Sequence, residues 1–146
     1  VKISIIKYYL PKINHLINVY LHKMNFYVNF KLDAKFSETI ESMNRNKFTY
    51  SSFSEGERMR IDLALLFTWR DIARMKNSVN TNLLILDEVF DSSLDFNGTE
   101  DFLRLIGFFV DHNIFIISHK GDILYDKFKN IISYKKVGNF SIMNNT

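Results

Sequence analysis

Two apolar runs in this sequence give way abruptly to residues that can do chemistry. Residues 83–86 (LLIL) are followed by Asp87 and Glu88, and residues 114–117 (IFII) by Ser118 and His119. If both runs are parallel strands lying close in one sheet, their carboxyl ends share an edge, where open α/β sheets build their sites. An acidic pair and an imidazole then converge on one cleft. An aspartate ending a buried strand can hold Mg²⁺ through its water shell, because that ion takes hard oxygen ligands and dehydrates reluctantly. Side chains alternate along a strand, so Glu88 points elsewhere and can orient and deprotonate an attacking water. His119 can donate a hydrogen bond to a terminal phosphate oxygen. The plainer alternatives are acids that cap a strand and a histidine buried in the core; two such strand ends together weigh against them.

A third element opens at Ser54. With Glu57 three residues on, it fits a capping box, in which hydroxyl and carboxylate satisfy the first free backbone N–H groups of a helix. The same helix start, with Gly56 allowing close approach to the backbone, is also a ready anion site. The two readings are compatible, since a capped terminus still presents N–H donors.

The elements that must position these residues follow from periodicity. Strand, helix and strand over about 35 residues make a right-handed βαβ crossover. Both its strands (83–86 and 114–117) are expected to be buried on two faces, as in a parallel sheet. The intervening helix should turn Phe102, Leu103, Ile106, Phe109 and Val110 inward. The helix from Ser54 should bury Ile61, Leu65, Leu66, Trp69, Ile72 and Ala73, with Arg58, Asp62, Arg70 and Arg74 opposite. Upstream, 26–32, 36–40 and 48–50 read as an antiparallel patch with one solvated face. Downstream come a short helix near 122–128 and strands near 131–135 and 140–143. The first two dozen residues read as a helix with Ile3, Ile6, Leu10, Ile13, Ile17, Tyr20 and Met24 in one stripe. Pro11 should kink it or open a second segment. The stripe serves equally a helix packed on its own domain and the end of a coiled-coil arm.

Composition bounds the rest. At 146 residues and 47% hydrophobic, with fourteen Phe and seven Tyr, the chain supports one compact domain and excludes a mainly disordered segment. The absence of cysteine excludes disulfides and cysteine-ligated zinc and favours a reducing compartment. A net charge of +3 permits nucleic-acid contact but does not argue for it, and Lys and Arg are spread without a dense patch. No run approaches the roughly 18–20 apolar residues of a membrane span. The opening run is too short for a signal peptide and meets Pro11 and Lys12. A first residue of Val1 suggests a lobe from a longer protein.

In order and spacing, FSEGERMRIDLALLF (53–67), LLILDEVFDSSLD (83–95) and IISHK (116–120) resemble the C-terminal lobe of ABC-class ATPases. Within that class they resemble the SbcC-type DNA repair and recombination ATPases with SMC-like coiled coils, above all the branch found in T4-like phages. The resemblance implies an α/β fold, the C-terminal half of an ABC/P-loop NTPase head. Its sheet would be mostly parallel and buried, with flanking helices and a small antiparallel patch. Residues 1–25 would end a coiled-coil arm, and 26–146 would be the lobe. Ser54, Gly56 and Glu57 would be the signature loop that contacts the γ-phosphate of ATP on an opposing head. Asp87 would be the Walker B aspartate at Mg²⁺, Glu88 the catalytic base and His119 the switch histidine. Ser93, Leu94 and Asp95 would be the D-loop crossing the head–head interface. Glu55 departs from the family, which has glycine there, and an extra carboxylate opposes phosphate unless it turns away.

None of the five glycines (Gly56, Gly98, Gly107, Gly121, Gly138) begins or ends a GxxxxGK[ST] loop. No backbone nest and lysine in this chain hold the β- and γ-phosphates, so the lobe alone should bind ATP poorly. The implied partners are an N-terminal lobe carrying Walker A, a second head, an SbcD-like nuclease subunit and double-stranded DNA, with no membrane. The helix before Met24 is the candidate docking point for the nuclease, which would itself carry the associated nuclease activity. The implied location is the cytoplasm, that of the host if phage-encoded. The alternative is a non-catalytic ABC-like module that docks a nuclease or an SMC-like partner. A transporter's nucleotide-binding domain fits poorly with the heptad-like entry helix.

Overall fold

A computed structural model describes residues 2–42, 46–76, 81–89 and 96–144. Helix α1 (Lys2–Lys23) runs through Pro11 as one element, which excludes a second segment, the other of the two outcomes expected beside a kink. From Ile13 onward the stripe enters the core: Ile13, Ile17, Tyr20 and Met24 are buried, joined by Leu21. The helix stops at Asn25, whose φ of 54° is the left-handed conformation that asparagine tolerates better than most residues. The Phe26 N–H donates to the Leu21 carbonyl at 2.9 Å and the Asn25 N–H to that of His22 at 3.0 Å, the paired bonds of a Schellman motif.

Strands β1 (Val28–Leu32), β2 (Glu38–Ser42) and β3 (Lys47–Phe48) form the antiparallel patch, in that order. Alternation in β1 is strict: Val28, Phe30 and Leu32 are buried while Asn29 and Lys31 face water. The turn between β1 and β2 is tied by the Asp33 carboxylate, which accepts the N–H groups of Lys35 and Ser37. Those bonds hold the Asp33 carboxyl below its ordinary range. The third strand is shorter than expected, because the chain turns into a 3₁₀ segment at Tyr50–Ser52.

Helix α2 (Glu55–Lys76) packs between α1 and α3 (Phe96–Ile106). Its buried face differs from the expected one. Ile61, Leu63, Ala64, Phe67, Thr68 and Ile72 are inside, Leu65 is half-buried, and Leu66, Trp69 and Ala73 are exposed. Covered on two flanks, α2 turns a broad face inward along steps of three and four residues. Leu66 and Trp69 fall on the remaining side, where Trp69 lies beside the Phe36 ring at 6.1 Å. Val110 is likewise exposed: α3 ends at Ile106, so its periodicity no longer applies four residues later. Phe109 is half-buried and stacks on Phe67 at 5.0 Å.

Strands β4 (Leu83–Asp87) and β5 (Asn113–Ile117) are parallel, in register from Leu83↔Asn113 to Asp87↔Ile117. They flank α3 in the chain, as a βαβ unit requires. Burial on both faces is not observed. Leu86 is buried and Leu84, Ile114 and Ile116 are half-buried, while Leu83, Ile85, Phe115 and Ile117 are exposed. One face of the pair rests on the helical core, and among the described residues nothing covers the other. Among the described strands this pair is the parallel part of the fold, a smaller share than expected. The last two strands pair antiparallel because a two-residue loop joins them, and such a loop allows no crossover. They are β6 (Ser133–Val137) and β7 (Phe140–Asn144), turning at Gly138, whose φ of 61° suits a hairpin glycine. Before them, α4 (Gly121–Leu124) and a 3₁₀ turn (Tyr125–Lys127) occupy the expected short helix.

Candidate functional site

The two strand ends meet. Asp87 is the last residue of β4 and lies opposite Ile117, the last of β5. One residue further, the Glu88 N–H donates to the Ile117 carbonyl at 2.9 Å, extending the ladder past the strand. Glu88 has φ of 55°, a left-handed conformation that costs a residue with a Cβ on the order of 1 kcal/mol. The bend sends its side chain across the edge, where Glu88 Oε1 stands 3.3 Å from His119 Nε2. His119 is 83% exposed and Glu88 64%, so the buried-core alternative for the histidine does not hold. After β5 the Lys120 N–H donates to Ser118 Oγ at 3.0 Å, which fixes the start of the loop bearing His119. Asp87, Glu88 and His119 thus share one open rim.

Ser54, Gly56 and Glu57 form a separate locus at the start of α2. Both the N–H and the hydroxyl of Ser54 donate to Glu57 Oε2 at 2.8 Å, and the Glu57 N–H points back at Ser54 Oγ at 3.4 Å. This is the capping box read from the sequence, and it commits the serine proton to Glu57. Below it, Arg58 donates to the Phe53 carbonyl at 2.8 Å, and the Tyr50 hydroxyl donates to the Asp62 carboxylate at 2.8 Å. Burial, with the Asp62 hydrogen bond and charge behind it, pushes the Tyr50 hydroxyl up to about 12. Ser93, Leu94 and Asp95 lie outside the described residues.

Among the described residues no three His, Asp or Glu side chains gather as a metal cage. Mg²⁺ needs none, since it takes one or two carboxylates and fills its octahedron with water and phosphate oxygens. The exposed Asp87 fits such a partial site. A cavity of about 350 Å³ lies elsewhere, lined by Leu103, Arg104, Lys127 and Phe128 among others, with Lys127 paired to Glu100 at 2.7 Å. None of the rim residues borders it.

Three anchoring groups escaped the sequence reading. Asn14 and Asn18 of α1 bond to the backbone of β1. Asp101 of α3 accepts from Asn25 at 2.7 Å and pairs with Arg60 at 3.4 Å. Two asparagines inside a helix, where they propagate poorly, were the only available signal for the first pair. Nothing local marks Asp101.

No family model matches the chain. Its sequence is 48% identical over 143 residues to "Exonuclease subunit 2" of Enterobacteria phage T4 and 44% identical to the protein so named in Escherichia phage RB69, each alignment covering 98% of this chain. A third relative, "Probable exonuclease subunit 2" of Escherichia phage T5, is 34% identical over 71% of the chain. The chain spans about a quarter of the length of the first two (25% each). By structure it matches an "SMC head domain from Thermotoga maritima" with a TM-score of 0.71 at 24% identity, covering 99% of this chain and 51% of that one. A chain described as "Structural biochemistry of ATP-driven dimerization and DNA stimulated activation of SMC ATPases" matches with a TM-score of 0.75 at 16% identity, covering 97% and 88%. The chain therefore has the fold of an SMC head domain, and its sequence is homologous to a quarter-length segment of the phage exonuclease subunit 2 proteins.

Proposed function

We propose that this lobe supplies the hydrolytic half of a composite ATP site in a nuclease complex that processes DNA breaks. One observation carries the reading: a carboxylate and an imidazole from adjoining parallel strand ends face each other across an exposed rim. Glu88 takes the proton of the attacking water. His119 turns from Glu88 to donate to a γ-phosphate oxygen, and Asp87 would hold Mg²⁺. When bound, Mg²⁺ neutralises charge developing on the phosphate oxygens. At the other locus, Ser54 and the backbone N–H groups around Gly56 and Glu57 face ATP held by a second head, and Ser93 and Asp95 belong to the crossing between heads. The phosphate cradle comes from an N-terminal lobe carrying Walker A. The uncovered apolar face of β4 and β5 supports the docking of such a lobe. The first turns of α1 continue into the arm, an SbcD-like nuclease docks near α1, and double-stranded DNA is the substrate, in the host cytoplasm. Among the described residues no helix is long and apolar enough to cross a membrane.

Replacing Glu88 with Gln in the assembled enzyme is expected to preserve ATP binding, hold heads closed and cut turnover by about 10² to 10⁴, the range of a general base. Turnover at the native rate would remove Glu88 from its role.

A second reading, a docking module without catalysis, draws support from Glu55 beside the signature serine and from the Ser54 proton engaged by Glu57. Adding the N-terminal lobe and measuring ATP hydrolysis separates the two.

A further inference from the structure

Among the described residues strand β1 is the edge of its sheet, bonded to β2 on one side. On its free side the backbone groups of Phe30 and Leu32 are met by side chains of α1. Asn18 Nδ2 donates to the Phe30 carbonyl at 2.7 Å while its Oδ1 accepts the Phe30 N–H at 2.8 Å. Asn14 does the same for Leu32, at 3.0 and 2.8 Å. A primary amide carries a donor and an acceptor side by side, as a peptide group does, so each asparagine imitates one residue of a neighbouring strand. The spacing matches: four residues rise about 6.0 Å along a helix, and two residues advance about 6.6 Å along a strand. Leucine at these positions would leave four backbone groups of an edge strand beneath a helix, without these partners.

The sheet fastened this way leads to Ser54. β2 pairs with β3 through Ile40↔Phe48. The Phe48 ring packs on Phe53 at 5.6 Å, the Phe26 ring packs on it at 5.7 Å, and Arg58 holds the Phe53 carbonyl. Phe53 directly precedes Ser54. We infer that Asn14 and Asn18 are positioning residues that join α1 to the loop bearing Ser54, so that displacement of the helix moves the loop with it. The consequence for ATP turnover rests on the hydrolytic reading given above; the mechanical link does not.

The test uses the full-length protein with Asn14→Leu and Asn18→Leu combined, followed by amide hydrogen exchange. Loss of the amide rungs should speed exchange at Phe30 and Leu32 by about tenfold or more, and at Ser54, Glu57 and Arg58 by about threefold or more. ATP turnover should fall by about tenfold while global unfolding stays cooperative. Fast exchange at Phe30 and Leu32 with Ser54, Glu57 and Arg58 unchanged would overturn the link and leave the asparagines a purely local role. If the double variant fails to fold, Asn18→Asp is measured in the same way. It keeps the acceptor for the Phe30 N–H and loses the donor, so it should give the same pattern at smaller amplitude. A wild-type protein without ATP turnover would count against the hydrolytic reading, and the exchange pattern would still decide the link.

Discussion

At the scale of single residues, Glu88 and His119 show what strand-end chemistry requires. A regular strand would send Glu88 to the face opposite Asp87, and the left-handed φ at Glu88 instead turns the chain so that its carboxylate reaches the neighbouring strand's loop. Types and spacing made the pair legible in the sequence, but not the backbone bend that closes it. Ser54 carries a smaller prediction. Its hydroxyl belongs to a capping box, so Ser54→Ala should lower stability by about 1 kcal/mol, read from denaturant unfolding. No change would mean that the backbone at Ser54 caps α2 without the hydroxyl. His112 carries another. Arg74 Nη1 approaches its Nε2 at 2.9 Å, and its Nδ1 is buried without a partner among the described residues. Burial first, then the charges of Arg70 and Arg74, lower its pKa from the ordinary 6.5. The unfolded chain therefore binds this proton more readily than the native one. Stability from this site is complete above about pH 6.5 and declines as pH falls below it. Thermal unfolding between pH 5 and 8 should show that slope, and His112→Gln should flatten it.

At the scale of elements, helix and strand identities followed from periodicity, because 3.6- and 2-residue repeats are properties of local geometry. The faces did not follow as well. Leu66 and Trp69 are as apolar as Leu63 and Phe67, and only the placement of α1 and α3 decides which pair is buried. Asp101 likewise acquires its meaning from three elements: Asn25 at the end of α1, Arg60 on α2 and Arg104 on α3. Its side chain is 13% exposed and that of Arg60 15%, so this pair lies between a surface ion pair and a buried one. Asp101→Ala leaves the guanidinium without that carboxylate and should cost on the order of 2–3 kcal/mol. Replacing both partners, Asp101→Leu with Arg60→Met, should recover part of that loss in a double-mutant cycle. Additive losses would deny the pair any coupling.

At the scale of the molecule, the sheet face left uncovered explains why reading β4 and β5 from sequence went half wrong. Their residues are apolar throughout, as strands buried on both sides are, yet Leu83, Ile85, Phe115 and Ile117 stand 47–57% exposed. Under the proposed function that face meets a second lobe, and the relatives the chain matches are about four times its length. Burying four such side chains on a partner would contribute roughly 25 cal/mol per Å² of apolar surface removed from water, set against the entropic cost of association. Charges introduced there should act on association rather than on the lobe itself. Ile85→Asp with Phe115→Lys, opposite charges at directly paired positions, is expected to leave thermal unfolding of the lobe within about 2 °C of the parent, because both side chains already face water. The same variant should no longer co-purify with the N-terminal segment expressed separately. Retention of that complex would place the docking surface elsewhere, while collapse of the lobe would show that the exposed face contributes to its own core.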